Sequence, residues 1–331
     1  MKFTRVSEEP FIPRTPGTFY SRLVANPDVL EHNDFLYFFF RGQGEDGHDQ
    51  IGLWKQAQSL ADGFNWDKSI TEPVVKVSVE PSAYDSDHIL DPSAIIFNEA
   101  IYLYYTAKGI QDENSYSIGL SVSDDGLNFL KHDSNPILKN AIAPEVIIHD
   151  GLIHLFFQRH NIQNDSWELF SRTSIDGIKF DLESERLVFT PSLVHGSIDE
   201  KSAATFRIFK ADDFYYLSYG ACQKFLDYPE SFGIAKSKDL LNWERSKSNP
   251  IFVRGAAGTW DEAAIWYPTI HKINEKFFMW YEGAGTGNAL IDESASEAST
   301  LARKVNYGGY LVTSFSQVGL AVLDEKDFLW Q

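Results

Sequence analysis

The sequence predicts an all-β protein, a five-bladed β-propeller, and three observations support this fold class. An aromatic-rich run followed by a short apolar strand, a turn and another aromatic recurs in the ranges 35–66, 101–129, 152–180, 214–243 and 276–330. Four of the five copies carry proline at one register, at Pro27, Pro92, Pro144 and Pro268. Residues 3–12 fit the template of an outer strand that the last copy lacks. A recurring unit that is built of strands throughout is typical of propeller blades.

The first strand of each unit contains the proline or its equivalent. These strands are predicted at 25–34, 90–99, 143–151, 203–213 and 266–276. Proline lacks an amide donor, and the first residue of a strand needs none, so we expect each proline at a strand start. The sequences that follow, such as HND and HDG, favour tight hairpins to the second strands.

The fourth strand of a unit is visible at 129–138 and 243–252, where Pro136 and Pro250 hold matching positions. Pro10 holds the same position in residues 3–12, and the last unit ends where a fourth strand should begin. We therefore expect this N-terminal strand to complete blade five and close the ring. Closure would hide strand edges that could pair with another chain.

The chain has 331 residues, and 29 basic against 47 acidic residues give a net charge of −18. No linker interrupts the repeats, so we expect one catalytic domain over 1–331. So acidic a surface repels phosphate backbones, which argues against nucleic acid as a partner and favours a neutral ligand.

No apolar run approaches the length of a membrane span, and the N-terminus shows no signal peptide, so a cytoplasmic protein without membrane contact is expected. The one cysteine, Cys222, lies in an apolar run and is expected to be a packed core thiol. Metal-ligand spacings are absent from the sequence, and we expect neither a metal nor a cofactor.

Three carboxylates flank the prolines of three successive units, namely Asp28, Asp91 and Glu145. First strands line the central funnel of a propeller, so these groups should converge at its mouth. Like charges held close together raise the pKa of at least one of them. Glycoside cleavage uses such a pair, one carboxyl protonated and one ionised. The alternative for each is a structural role, in which the carboxylate accepts backbone N–H groups in a turn.

Further polar and aromatic residues fall on the loops and strand starts of the same face. Loops carried on a rigid scaffold are where binding sites are usually built. The candidates for substrate binding are Asn26, Arg41, His88, Arg159, His160, Lys201, Glu262, Trp266 and Tyr267.

The repeats resemble the five-bladed propeller glycosidases, the superfamily of glycoside hydrolase families 32, 43, 62, 117 and 130. The chain departs from the family 43 pattern, because Asn26-Pro27 replaces the Asp-Pro that carries the base. It is locally more similar to family 130, the mannoside phosphorylases and mannosidases. The matching residues are Asn26-Pro27 with Arg41, Asp91-Pro92, and Lys139, Asn140, Ala141, Pro144 and Glu145 with Arg159. This resemblance implies that Asp91 is the general acid and that Arg41 and Arg159 hold a phosphate or a sugar.

We therefore hypothesise that the protein is a glycoside hydrolase, exo-acting on a small neutral oligosaccharide. Asp91 and Glu145 are predicted as the acid/base pair, and Asp28 as a group that either tunes their pKa or binds a sugar hydroxyl. Inversion is expected because carboxyl groups on different blades leave room for a water molecule. Two alternatives stay open: a phosphorylase of the family 130 type, with Arg41, Lys108, Arg159 and Lys201 as phosphate ligands, and a non-catalytic propeller that binds carbohydrate or protein.

A long segment at 283–309 interrupts the last unit between its second and third strands. Residues 293–304 contain helix formers, with an acidic start and a basic end that suit the helix dipole. We expect a short helix that caps one side of the pocket and favours attack at a chain end. A mobile, solvated loop is the alternative.

Overall fold

The structure is a computed structural model that describes residues 1–111, 115–224, 226–285, 305–307, 310–312 and 316–330. Within these ranges the protein is almost entirely β-structure, with three short 3-10 turns at Gln58–Leu60, Leu182–Ser184 and Glu325–Asp327. The all-β prediction is confirmed. The described residues include no helix that is long and apolar enough to cross a bilayer.

The strands form five antiparallel units, each starting with the predicted first strand, and a parallel pair at Asp49 and His88 joins the first two units in one eight-stranded sheet. The N-terminal strand is β1 (Thr4–Arg5) and unit one comprises β2 (Leu23–His32), β3 (Phe35–Gln43) and β4 (Asp49–Ala57). Unit two comprises β5 (His88–Phe97), β6 (Ala100–Lys108), β7 (Ser117–Ser123), β8 (Leu130–Lys131) and β9 (Leu138–Lys139). Unit three comprises β10 (Ile142–His149), β11 (Leu152–Asn161), β12 (Ser166–Ser174) and β13 (Arg186–Phe189).

Unit four comprises β14 (Ser202–Ala211), β15 (Phe214–Cys222), β16 (Ser231–Ser237), β17 (Glu244–Arg245) and β18 (Phe252–Val253). Unit five comprises β19 (Ala264–Ile273), β20 (Lys276–Ala284) and β23 (Gln317–Asp324), with the hairpin β21 (Val305–Tyr307) and β22 (Tyr310–Val312) before β23. The helix predicted at 293–304 lies outside the described residues.

The predicted prolines sit inside the first strands, not at their starts. Each first strand shifts register by a bulge, and a residue with positive φ precedes each proline, as Asn26 precedes Pro27. Bulges tolerate proline because the ladder is already interrupted there. Unit four has the same bulge at Thr205 and Phe206 without a proline.

The aromatic runs of the second strands form the core between units. Phe38, Phe40 and Trp54 of unit one pack with Phe278 and Trp280 of unit five. Four similar clusters join units one and two, two and three, three and four, and four and five. Cys222 is buried in β15, and burial raises the pKa of its thiol, as expected for a core cysteine.

The predicted fourth strands of units two and four are each broken into two short pieces. In unit two the break is bridged by Asn135, whose side-chain amide pairs with the backbone N–H and C=O of Leu120 at 2.8 Å each. Asn249 does the same with Ile234 in unit four. One side chain thus replaces a backbone pair of the ladder.

An aspartate turn follows the third strand in four units, at Asp62, Asp125, Asp176 and Asp239. Asp239 Oδ1 accepts the N–H groups of Leu241 (2.9 Å) and Asn242 (2.8 Å). Such bonds favour the ionised form: they hold the pKa of Asp239 below its usual value, and in the equivalent turn they lower that of Asp62 to about 2 against the effect of burial. These carboxylates therefore stabilise the fold in their charged state.

Asp239→Ala is expected to lower the free energy of unfolding by about 1 kcal/mol at neutral pH, because it removes charged hydrogen bonds at a partly exposed turn. A depressed folded-state pKa contributes stability above the unfolded pKa of about 4, and this is lost as pH falls further. Urea unfolding of both proteins at pH 7 and pH 3 should show the difference shrinking at pH 3. Asp133→Ala, at an exposed aspartate, is the control, and an equal loss in both variants would contradict the assignment.

Candidate active site

Arg207 lies where the first strands of the units converge. Its guanidinium donates to the carbonyl oxygens of Pro27 (3.3 Å) and Pro92 (3.0 Å), in units one and two. It also donates to Glu145 Oε2 of unit three (3.2 Å) and, through Nε, to Thr269 Oγ1 of unit five (3.2 Å). One buried side chain from unit four therefore contacts the other four units.

The residue after each bulge points into a belt around this centre. The belt consists of Asp28, Ser93, Glu145, Arg207 and Thr269. Asp28 Oδ2 accepts the N–H of Ala94 (2.9 Å), and Glu145 Oε1 accepts the N–H of Ile208 (2.7 Å). Each of these carboxylates thus satisfies a backbone donor in the first strand of the following unit, which is the structural alternative to a catalytic role.

The two belt carboxylates share one guanidinium. Burial, together with the charge of Asp28, raises the pKa of Glu145 to about 7, although the charge of Arg207 opposes the shift. Burial also raises the pKa of Asp28 against the effect of Arg207. Because two buried anions face one cation, the belt holds a proton more readily than free carboxylates do.

The bulge residues with positive φ form a second ring, made of Asn26, Asp91, Ala143, Thr205 and Tyr267. Asp91 is 3% exposed, and its Oδ1 accepts the hydroxyl of Tyr267 at 2.6 Å. Burial raises the pKa of Asp91, while the Tyr267 hydroxyl and the charge of Arg41 work against the shift. A buried carboxyl of this kind can retain a proton where an exposed aspartate has lost it.

The second strands contribute a third ring, with one residue from each strand. Each member lies eight positions after the first residue of the hairpin turn before it, as Arg41 lies after Asn33. Its members are Arg41, Thr106, Gln158, Gly220 and Glu282. Glu282 is 6% exposed, and its Oε2 accepts Asn26 Nδ2 at 3.1 Å. Burial, together with the charge of Asp91, raises the pKa of Glu282 to about 7, although the charge of Arg41 and hydrogen bonds from Ser316 and the Asn26 N–H oppose the shift.

Arg41 is oriented by a chain of polar groups that leads away from Asp91. Its Nε and Nη2 donate to the two carboxylate oxygens of Asp49 at 2.7 and 2.9 Å. His88 Nδ1 lies 2.9 Å from Asp49 Oδ2, and His88 Nε2 lies 3.2 Å from Asp87 Oδ2. Although burial would raise it, the pKa of Asp49 stays below its usual value because of Arg41 and His88. His88, predicted to bind substrate, is buried against these carboxylates.

The three carboxylates that were expected to converge at the funnel mouth lie in two different rings. Asp91 precedes its proline and belongs to the bulge ring, whereas Asp28 and Glu145 follow theirs and belong to the belt. The reason is the bulge, which turns adjacent side chains toward different levels. Asp91 is therefore grouped with Asn26, Arg41, Tyr267 and Glu282.

Three other predicted residues form ion pairs of their own. Arg159 donates to Glu185 Oε1 at 2.8 Å and to the carbonyl oxygen of Asn140 at 3.1 Å. Lys201 Nζ and His160 Nε2 contact the same carboxylate, Asp165, at 2.8 and 3.0 Å. These contacts are distinct from the Asp91 group.

The remaining two predicted residues lie on the loops before and at the start of β19. Glu262 accepts the N–H of Gly258 within its own turn. Trp266 is half-buried; its Nε1 donates to the carbonyl oxygen of Asp227 at 3.1 Å and its ring meets Tyr228 edge-on. The indole is thus held in a fixed orientation, which a stacking platform for a sugar requires.

Arg207 and Glu282 were not among the predicted residues. The sequence does contain a signal that locates Arg207. In four units the first residue of the hairpin turn lies six positions after the proline, as Asn33 lies after Pro27. Counting back six from Asp212 gives Phe206 as the missing equivalent, with Arg207 in the belt. Among the described residues no group of three or more His, Cys, Asp or Glu is arranged to hold a metal ion.

No protein-family model matches the chain, and no curated protein matches it. Solved structures do. A thermostable family-43 glycoside hydrolase is 18% identical with a TM-score of 0.63, over 79% of this chain and 86% of that one. A structure reported for family 130, described as mannoside phosphorylases that include hydrolases of β-1,2 mannosidic linkages in Candida mannan, is 12% identical with a TM-score of 0.69, over 99% and 95%.

A third similar structure is an N-acetylgalactosamine deacetylase from F. plautii in complex with blood group B trisaccharide, 14% identical with a TM-score of 0.69, over 97% of this chain and 95% of that one. The predicted similarity of fold to glycoside hydrolases is thereby confirmed. Identities this low carry no statement about the reaction.

Proposed function

We propose that the protein is an inverting glycoside hydrolase, exo-acting on a small neutral oligosaccharide, with Asp91 as the general acid. The observation that carries this proposal is the buried Asp91 carboxyl, which is held by Tyr267 and whose pKa is raised by burial. A general acid must keep its proton near neutral pH and present it in a fixed direction. The pKa of Asp91 is shifted in the direction that this role needs, and its contact with Tyr267 fixes the direction of the carboxyl.

The paired state of the cations favours water over phosphate as the attacking group. Arg41 is bound by Asp49, Arg159 by Glu185 and Lys201 by Asp165. Lys108 Nζ lies 3.5 Å from Asp87 Oδ2. A phosphate would have to compete with these carboxylates in a chain whose net charge is −18.

A neutral substrate suits the polar atoms of the bulge ring. Asn26 Oδ1 and Thr205 Oγ1 are buried without a protein partner among the described residues. An amide oxygen and a hydroxyl are suited to sugar hydroxyls and carry no charge. The assignment of Glu145 and Asp28 to catalysis, the single domain and the cytoplasmic location remain predictions.

The test is a screen of the wild-type protein against aryl glycosides and short manno-, arabino- and fructo-oligosaccharides, with and without phosphate. We expect release of a terminal sugar in phosphate-free buffer. Turnover only with added phosphate would decide for a phosphorylase. Binding of a sugar without any turnover would decide for a carbohydrate-binding propeller.

We further propose that the five units are the five blades of one closed propeller and that β1 is the outer strand of blade five. β1 pairs with β23, Arg5 opposite Ala321. Arg5 Nη2 lies 2.7 Å from the buried carboxylate Asp261. Arg245, a fourth-strand residue of unit four, forms the same pair at 2.8 Å with Asp199, which precedes unit four as Asp261 precedes unit five. Arg5 thus occupies the position of a fourth-strand cation.

Deleting residues 1–12 is expected to cost more than about 3 kcal/mol, because it removes the strand and leaves Asp261 buried without its cation. Arg5→Ala alone should cost about 2 kcal/mol for the same reason. Urea unfolding measures both. Arg22→Ala is the control, since Arg22 pairs with the exposed Glu45 and should cost less than about 1 kcal/mol. A truncated chain that unfolds like the full one would refute the closure.

A further inference from the structure

Glu282 occupies a position at which a neutral side chain meets the structural need. In units two and three the equivalent residues accept the backbone N–H of the next bulge residue: Thr106 Oγ1 from Ala143 at 2.7 Å and Gln158 Oε1 from Thr205 at 3.0 Å. A hydroxyl and an amide oxygen suffice there. A carboxylate at the same position of unit five adds a buried negative charge that the fold does not require, and such a charge is costly.

The surroundings of Glu282 are those of a reacting group. Its Oε2 accepts Asn26 Nδ2 at 3.1 Å, which fixes its orientation. The charges of Arg41 and Asp91 both act on it, so the three groups lie close enough together to interact. Ser316 and the backbone N–H of Asn26 also hydrogen-bond to Glu282, and 6% of the residue is exposed.

Glu145 is ion-paired with Arg207 and is held through both of its oxygens. Oε1 accepts the N–H of Ile208 at 2.7 Å, and Oε2 accepts Arg207 Nη1 and Ser93 Oγ at 3.2 Å each. Any proton that Glu145 takes from water would disrupt contacts that hold three units together. Its geometry suits structural support for the centre.

We propose that Glu282 is the general base that acts with Asp91, an inference that rests on the proposed glycoside hydrolysis. Glu282 takes a proton from a water molecule, whose oxygen forms the new bond to the anomeric carbon. The bond from that carbon to the glycosidic oxygen breaks, and the leaving oxygen takes the proton of Asp91. Water is the only co-reactant, the products are the free sugar and the shortened alcohol, and both carboxyls recover their protonation from solvent.

The experiment compares Glu282→Gln and Glu282→Ala with the wild-type enzyme on an aryl glycoside that it cleaves. Glu282→Gln keeps an acceptor for Asn26 and should lose about 10²–10⁴-fold in kcat with little change in KM. Glu282→Ala makes room for azide, a nucleophile that needs no base. In azide it should form a glycosyl azide of inverted configuration, which NMR identifies. In the wild-type enzyme, kcat/KM should increase with pH as the base ionises. This increase should be lost in the Glu282 variants.

Gln158→Ala is the matched control, because it removes the equivalent acceptor in unit three. It should lower the melting temperature without producing glycosyl azide. If the wild-type enzyme is active and Glu282→Gln keeps the wild-type kcat, this inference is overturned, whereas the proposed function still stands. Azide product from Glu145→Ala, and none from Glu282→Ala, would assign the base to Glu145 instead. A wild-type protein that cleaves no glycoside would overturn both proposals.

Discussion

Replacing Arg207 by Met is expected to destabilise the protein by about 3–5 kcal/mol, more than any other single substitution proposed for this chain. The guanidinium is 2% exposed and faces two buried carboxylates, Asp28 and Glu145. Met fills similar space but supplies neither charge nor donors. The carbonyl oxygens of Pro27 and Pro92 would also lose the donor that joins their units to unit four.

Urea unfolding at pH 7 measures this effect, with Arg186→Met at an exposed arginine as the control. Adding Glu145→Gln to Arg207→Met should recover part of the loss, because the double variant no longer buries that unpaired carboxylate. The recovery separates an electrostatic role from a simple packing role. A single variant with wild-type stability, or a double variant that is merely the sum of the two single losses, would contradict the account of the belt.

Asp91→Asn is expected to have the largest effect on activity, a loss of about 10²–10⁴-fold in kcat on the natural substrate. Asn is close in size and can still contact Tyr267, but it has no proton to give. The loss should depend on the leaving group. A dinitrophenyl glycoside needs little protonation of its leaving oxygen, so its cleavage should fall far less than that of an alkyl glycoside.

Kinetics on a series of aryl glycosides check this prediction, with a melting curve to show that Asp91→Asn is folded. Asp133→Asn serves as the control at an exposed aspartate. An equal loss on good and poor leaving groups would mean that Asp91 supports the site without acting as its acid. In that case the buried carboxyl and its contact with Tyr267 would be structural features alone.

The repeat and its strands could be predicted from the sequence because the aromatic runs and hairpin turns recur with the structure they produce. The position in unit four that corresponds to the prolines of the other units was harder to recognise, because Thr205-Phe206 stands where those units have a residue followed by proline. The constant distance to the hairpin turn identifies Phe206, and with it Arg207. Glu282 could have been found from Arg41 by the same count, because both lie eight positions after a turn residue.

The sequence could not predict which of the rings around Arg207 each side chain belongs to. A bulge changes the direction of successive residues, so Asp91 and Asp28 lie in different rings although each adjoins a proline. Partners across units were equally hidden. That Arg159 is held by Glu185, and Lys201 by Asp165, depends on loops whose course no local pattern encodes.

Inverting hydrolysis is tested most directly by the anomeric configuration of the sugar first released by the wild-type enzyme, followed by NMR in phosphate-free buffer. We expect a free sugar of inverted configuration from the chain end, and far slower release of it by Asp91→Asn from an alkyl glycoside. Release of the sugar with retained configuration, formation of a sugar phosphate only when phosphate is supplied, or no cleavage of any glycoside would contradict this expectation.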